Sequence, residues 1–152
     1  MSIWWSLHLR REAASVPLAR RLLLGAMDTA GVDPDISYDL SVALTEACAN
    51  AVEHGGVGTG VTGGAAGHFR VAVCLDDERC HIEVTDSGPG FPGLRGAKRR
   101  RASERDENGR GLCLIEKLAD HVHFGNKPGR GGAVVSFDKI LKWRADAPLI
   151  AS

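Results

Sequence analysis

Two incompatible periods run through this chain, and together they leave few folds open. Between Phe69 and Val84 the apolar residues fall at every second position: Phe69, Val71, Val73 and Leu75, then Ile82 and Val84 beyond the turn Asp76-Asp77-Glu78. That is the signature of a β-hairpin with one apolar face. Between Ile36 and His54 they fall at every third or fourth position, so Leu40, Leu44, Ala47 and Ala51 share one side of a helix. A one-faced sheet and a one-faced helix must each bury that face, and each is the other's simplest cover.

The flanking segments extend this pattern. Trp5, Leu7 and Leu9 alternate with Ser6 and His8 as a first strand. A helix follows from about Ser15, with Val16, Leu18, Leu22, Leu23 and Ala26 at helical spacing, Pro17 in its first turn and Gly31 as its stop. Asp33-Pro34-Asp35 turns the chain into the helix over 36–54, which Gly55 and Gly56 end. The stretch GGVGTGVTGGAAG over 55–67 has too few side chains for a core and reads as a flexible loop. A third helix is expected from about Gly111 to Leu118, then a strand at Val122 and Phe124, a turn at NKPGRGG, and a last strand with Ala133, Val135 and Phe137. The order β-α-α-β-β-α-β-β predicts an α+β fold, a two-layer sandwich with helices on one face of a mixed, mostly antiparallel sheet. A single domain over 1–145 with a tail over 146–152 accounts for the 152 residues.

Composition narrows the function classes. Formal net charge is zero, so the molecule as a whole has no electrostatic pull toward nucleic acid or an anionic membrane. The longest apolar runs, such as Leu22-Leu23-Leu24, cannot span a bilayer, and Trp4 and Trp5 stand where a signal peptide would begin. A cytoplasmic protein is the expectation. Cys48, Cys74, Cys80 and Cys113 show no CxxC spacing and read as buried reduced thiols. Cys80-His81 and His121-Val122-His123 read as plain sheet positions rather than zinc ligands.

Three polar constellations remain. On the helix over 36–54, Asp39, Ala43, Glu46, Asn50 and Glu53 form a stripe beside the apolar face. The small Ala43 and Ala47 leave room for a ligand, an amide oxygen at Asn50 suits Mg²⁺, and Glu46 one turn away could accept a proton. A solvated helix edge fits the same stripe. In Ile82-Glu83-Val84-Thr85-Asp86 the inward phase ends on a carboxylate, which needs a donor such as an adenine amine. Gly88 and Gly90 follow, where a flat ring would need close backbone approach. Gly88-Pro-Gly-Phe-Pro-Gly93 also spells GxGxxG, but its two prolines and the absence of a helix exclude a dinucleotide fingerprint. Gly109-Arg110-Gly111-Leu112 opens the third helix, an arrangement suited to phosphate. Residues 95–110 carry seven basic and three acidic side chains with no interleaved aromatic, the composition of a solvated loop or a lid over a triphosphate.

In this order, Glu46-x-x-x-Asn50, Asp86-x-Gly88-x-Gly90 and Gly109-x-Gly111 resemble the N, G1 and G2 boxes of the GHKL (Bergerat-fold) ATPase superfamily, which includes gyrase, histidine kinases and MutL. The phrase Glu46-Ala-Cys-Ala-Asn50-Ala-Val-Glu-His54 and the leading helix are most similar to the anti-sigma serine/threonine kinases of the SpoIIAB and RsbW type, over roughly residues 10–140. The resemblance implies ATP and Mg²⁺ as cofactors. It implies Asn50 as the Mg²⁺ ligand, Glu46 as general base, Asp86 as reader of adenine, and Gly88 and Gly90 as walls of the base pocket. Gly109, Arg110, Gly111 and Leu112 would hold phosphate, and 92–108 would be the ATP lid. Implied partners are a sigma factor and an anti-anti-sigma protein of the STAS type, with no direct contact to nucleic acid or membrane. A homodimer through the first strand, with Trp4 and Trp5 at its edge, is also implied. Related sequences carry Gly-Thr before the last strand, whereas here Ala133 follows Gly132, so no hydroxyl supports Asp86. An ATP-responsive partner-switching module without kinase activity, or a detached histidine-kinase-type catalytic domain, are the alternative readings.

Overall fold

The computed structural model describes residues 2–54, 67–86, 107–126 and 132–145. Its elements are β1 (Ile3–Arg10), α1 (Ser15–Ala30), α2 (Pro34–His54), β2 (His68–Leu75), β3 (Arg79–Asp86), α3 (Glu107–Leu118), β4 (His121–Asn126) and β5 (Ala133–Ile140). The strands form one sheet in the order β1-β2-β3-β5-β4, with β1 and β4 at its edges. Each of its four pairings is antiparallel, so the sheet expected to be mostly antiparallel is so throughout its described strands. Residues 55–66 of the loop expected over 55–67, residues 92–106 of the lid expected over 92–108, and the tail over 146–152 lie outside the described residues, while 107 and 108 belong to α3.

Local chemistry sets the helix ends. Gly31 adopts a left-handed φ of 92° and returns its N–H to the carbonyls of Met27 and Asp28, which closes α1. Asp33 caps α2 by accepting the Asp35 N–H at 2.8 Å. Pro34 takes the first helical position, where a missing N–H costs nothing, so α2 starts earlier than the expected Ile36. In the hairpin turn Asp76 accepts the N–H groups of Glu78 and Arg79, each at 2.8 Å. The Arg79 bond first, and then the Glu78 bond, hold the Asp76 carboxyl below its ordinary pKa.

One continuous core lies between the sheet and the helices. Val71, Val73, Leu75, Cys80, Ile82, Val84, Val135 and Phe137 point inward from the strands. Leu40, Leu44, Ala47 and Ala51 of α2 meet them, as their spacing predicts, with Ile115 of α3 alongside. Cys48 and Cys80 are buried free thiols, and burial pushes Cys48 up to about 12. Cys74 and Cys113 are only half-buried, against expectation, and strand alternation is the reason for Cys74: Val73 and Leu75 take the inward phase. The same alternation puts Cys80 inside and His81 outside. Among the described residues no group of three His, Cys, Asp or Glu side chains could hold a metal ion, and no helix is long and apolar enough to cross a membrane.

Two helix readings need correction. In α1 the buried phase is Ala19, Leu23 and Met27, while Leu18 and Leu22 are 40% and 43% exposed. Apolar residues occupy both phases of this helix, so spacing alone could not choose between them. In α3 the helix begins at Glu107 rather than about Gly111, so Gly109 and Gly111 lie within its first turns. Glycine weakens a helix by about 1 kcal/mol but does not stop one.

The phase of α1 is testable. Leu23→Ala is expected to cost about 3 kcal/mol, and Leu22→Ala less than about 1 kcal/mol, by urea denaturation. Equal losses would contradict the assignment.

Candidate functional site

One end of the sheet carries Asp86, and the last turns of α2 reach it. Arg10 at the end of β1 faces His68 at the start of β2, and Phe69 faces Asp86 at the end of β3. Asn126 and Ala133 pair where β4 ends and β5 begins, and Thr85 faces Val134 beside them. Just past β1, the Arg11 N–H donates to the Gly67 carbonyl at 2.7 Å, and its guanidinium reaches the Val52 carbonyl of α2 at 2.8 Å. The last turns of α2 therefore stand over this same end.

The opposite end of α2 is anchored just as definitely. The Asp33 N–H donates to the Lys142 carbonyl at 2.8 Å, and Asp39 lies 3.7 Å from the Lys139 ammonium on β5. From Asp39 to Asn50 the helix rises about 16 Å. Along β5 the same length, about 16 Å, leads from Lys139 to Val134, which is level with Thr85 and Asp86. Helix α3 ends where Lys139 donates to the Leu118 carbonyl at 2.7 Å, and it packs on α2. It therefore runs back toward the motif end, with Gly109 and Arg110 among the first four N–H positions of its N-terminus.

Which side of α2 faces this space follows from its contacts. Thr45 accepts from Arg20 of α1 at 3.4 Å, so that side belongs to α1. Asp39 reaches β5 from the other side, and Glu46 and Asn50 share its stripe. Both are half-buried, and among the described residues neither side chain has a hydrogen-bond or ion-pair partner. Ala43 and Ala47 are fully buried in the core. The room the sequence reading gave them for a ligand is filled by protein, because the apolar arc of α2 is wider than four residues.

Asp86 is 5% exposed, and its Oδ1 accepts the backbone N–H of Ala133 at 3.1 Å. The missing hydroxyl after Gly132 is thus met by a main-chain donor. Gly132, at a left-handed φ of 113°, delivers it where β5 starts. No side-chain pattern could have shown this, since nearly every residue has an N–H. Gly88 and Gly90 lie outside the described residues, as does the side chain of Arg110, while Leu112 is half-buried against the core.

Comparison with known proteins bears on this arrangement. Residues 9–139 match the family described as Histidine kinase-like ATPase domain. The serine-protein kinase RsbW of Bacillus licheniformis is 32% identical over 133 residues, covering 83% of this chain and 78% of that one. The anti-sigma F factor of Geobacillus kaustophilus is 25% identical over 144 residues, covering 91% and 95%. Two solved structures share the fold. The RsbU and RsbW domains of a Mycobacterium tuberculosis protein superpose with a TM-score of 0.66 at 23% identity, covering 94% of this chain and 33% of that longer one. The SiaB–SiaC complex of Pseudomonas aeruginosa gives 0.57 at 14% identity, covering 90% and 89%.

The Ala133–Asp86 bond predicts a contrast between two substitutions. Asp86→Asn keeps an oxygen for the Ala133 N–H, and unfolding free energy should stay within about 1 kcal/mol of the parent. Asp86→Leu buries that N–H without a partner and should cost about 1–3 kcal/mol. Chemical denaturation that finds the two alike would contradict the assignment.

Proposed function

Because the chain belongs to the histidine kinase-like ATPase domain family, we propose that it is an ATP-dependent serine/threonine protein kinase acting as an anti-sigma factor. The observation that carries this reading is the arrival of Asn50 and Glu46 on α2 at the sheet end where Asp86 is held by Ala133. The residues present suit a bound nucleotide. The Ala133 N–H donates to Asp86 Oδ1, and Asn50 and Glu46 stand one turn apart on the stripe of α2 from which Asp39 reaches β5. Bound ATP with Mg²⁺ supplies the transferable phosphoryl group and the charge that screens it.

The protein's own groups then have separate tasks. Asp86 accepts from the exocyclic amine of adenine, and Gly88 and Gly90 let the backbone approach the ring. The Asn50 amide oxygen holds the divalent cation. Gly109, Arg110, Gly111 and Leu112 lie in the first turns of α3, whose N-terminal N–H groups and dipole favour phosphate. Glu46 accepts the proton of a serine hydroxyl on the protein substrate. The domain spans 1–145, and 92–108 acts as the lid. The substrate is an anti-anti-sigma protein of the STAS type, and a sigma factor is sequestered when that antagonist is absent or phosphorylated. This regulation of transcription belongs in the cytoplasm. A homodimer would use the free edge of β1. Only Trp4 presents outward there, since Trp5 packs against the core.

Incubation with labelled ATP, Mg²⁺ and a candidate antagonist tests the kinase reading. Transfer to serine is expected, with loss of at least a hundredfold in Glu46→Ala while ATP binding persists. Transfer that survives Glu46→Ala would remove the assigned base, and ATP binding without any transfer would favour a partner-switching module. Asp86→Asn should weaken ATP binding about tenfold or more in a calorimetric titration. Unchanged affinity would contradict the adenine assignment.

A further inference from the structure

The helices cover one face of the sheet, and the other face carries a charge pattern that the nucleotide site does not use. On β1 and β2 the outward residues include His8, Arg10, His68 and Arg70. The register sets His8 opposite Arg70 and Arg10 opposite His68, so the four side chains occupy two adjacent cross-strand pairs. His8, Arg10 and His68 are exposed and Arg70 is half-buried. Neither strand contains a carboxylate. Among the described residues the side chains of His8, Arg10 and Arg70 have no hydrogen-bond or ion-pair partner.

The carboxylates on the remainder of this face are already engaged. Glu83 on β3 accepts from Thr85 at 3.5 Å, and Asp138 on β5 bonds His81 and lies 3.9 Å from Arg79. Glu12, just beyond β1, is exposed and makes no ion pair among the described residues. Arg10 and Arg70 lie diagonally across this corner, each opposite a histidine, with no carboxylate on either strand between them. An anionic partner is the electrostatic complement of such a corner.

The same face distinguishes between kinds of partner. Trp4 and Ile140 lie on it and are 64% and 61% exposed, and Ala72, Cys74 and Val134 share it. An exposed tryptophan with arginines at one corner is the composition of a protein interface. The basic corner measures only about 5 by 7 Å, room for one or two acidic side chains rather than a nucleic-acid backbone. The zero net charge of the whole chain also gives no long-range attraction to a polyanion. Of the described carboxylates on or beside this face of a second copy, Glu83 and Asp138 are engaged, which leaves Glu12, a single carboxylate rather than an acidic segment. We propose that the open sheet face is a docking surface for a protein partner, with an acidic segment of that partner seated on the His8, Arg10, His68 and Arg70 corner. This surface does not depend on the nucleotide reading.

The probe is a capped hexaglutamate peptide titrated into the ¹⁵N-labelled protein, with hexalysine as control. Saturable amide shifts centred on residues 8, 10, 68 and 70 are expected. Arg10→Glu with Arg70→Glu should weaken binding at least tenfold, with circular dichroism and thermal midpoint unchanged. A charge-matched pair on other surfaces, Arg21→Glu with Lys142→Glu, should leave binding within twofold. Absence of binding, shifts spread over all cations, or equal loss in both pairs would overturn the proposal. So would tighter binding of hexathymidylate or phosphatidylserine vesicles to the same corner, or self-association that the first pair abolishes.

Discussion

Two polar ties on α2 determine where everything else falls. Burial of Leu40, Leu44, Ala47 and Ala51 holds the helix against the sheet, but apolar contact is non-directional and tolerates sliding along the strands. The Asp39–Lys139 pair fixes one end and the Arg11 bond to the Val52 carbonyl fixes the other. A slip of a single turn, about 5 Å, would carry Asn50 past the level of Asp86. One tie uses the Val52 carbonyl, two residues beyond Asn50, and the other Asp39, eleven residues before it.

The architecture also divides labour between the two faces of the sheet. The inner face ends in a row where Phe69, Asp86, Ala133 and Asn126 lie across neighbouring strands. The polar side chains of Asp86 and Asn126 stand there, at the edge of the apolar core. On the outer face cations and apolar groups are spread wide, in the way suited to recognising a surface. One layer of strands can serve both because alternate residues belong to different environments.

Legibility in the sequence followed the strength of local rules. The hairpin, the apolar side of α2 and the Gly31 stop were all readable, because strict alternation, a single helical phase and a left-handed glycine each leave one answer. Helix α1 misled because Leu18 and Leu22 are as apolar as Leu23, and only packing chose between them. The wheel put Glu46 and Asn50 on one stripe but could not say which neighbour that stripe faces; Lys139 decides it from a distant strand. The donor to Asp86 was unreadable, since it is a main-chain N–H placed by the register of β5.

At the end of the sheet away from the motifs, residues 141–145 bind the fold to itself. Val32 bridges Trp143, Trp143 donates to the Asp77 carbonyl, and Arg144 grips Asp28. The stretches 55–66, 87–106 and 127–131 instead all depart from and rejoin the fold at the motif end. The described strand pairing and core are built from residues outside these three stretches.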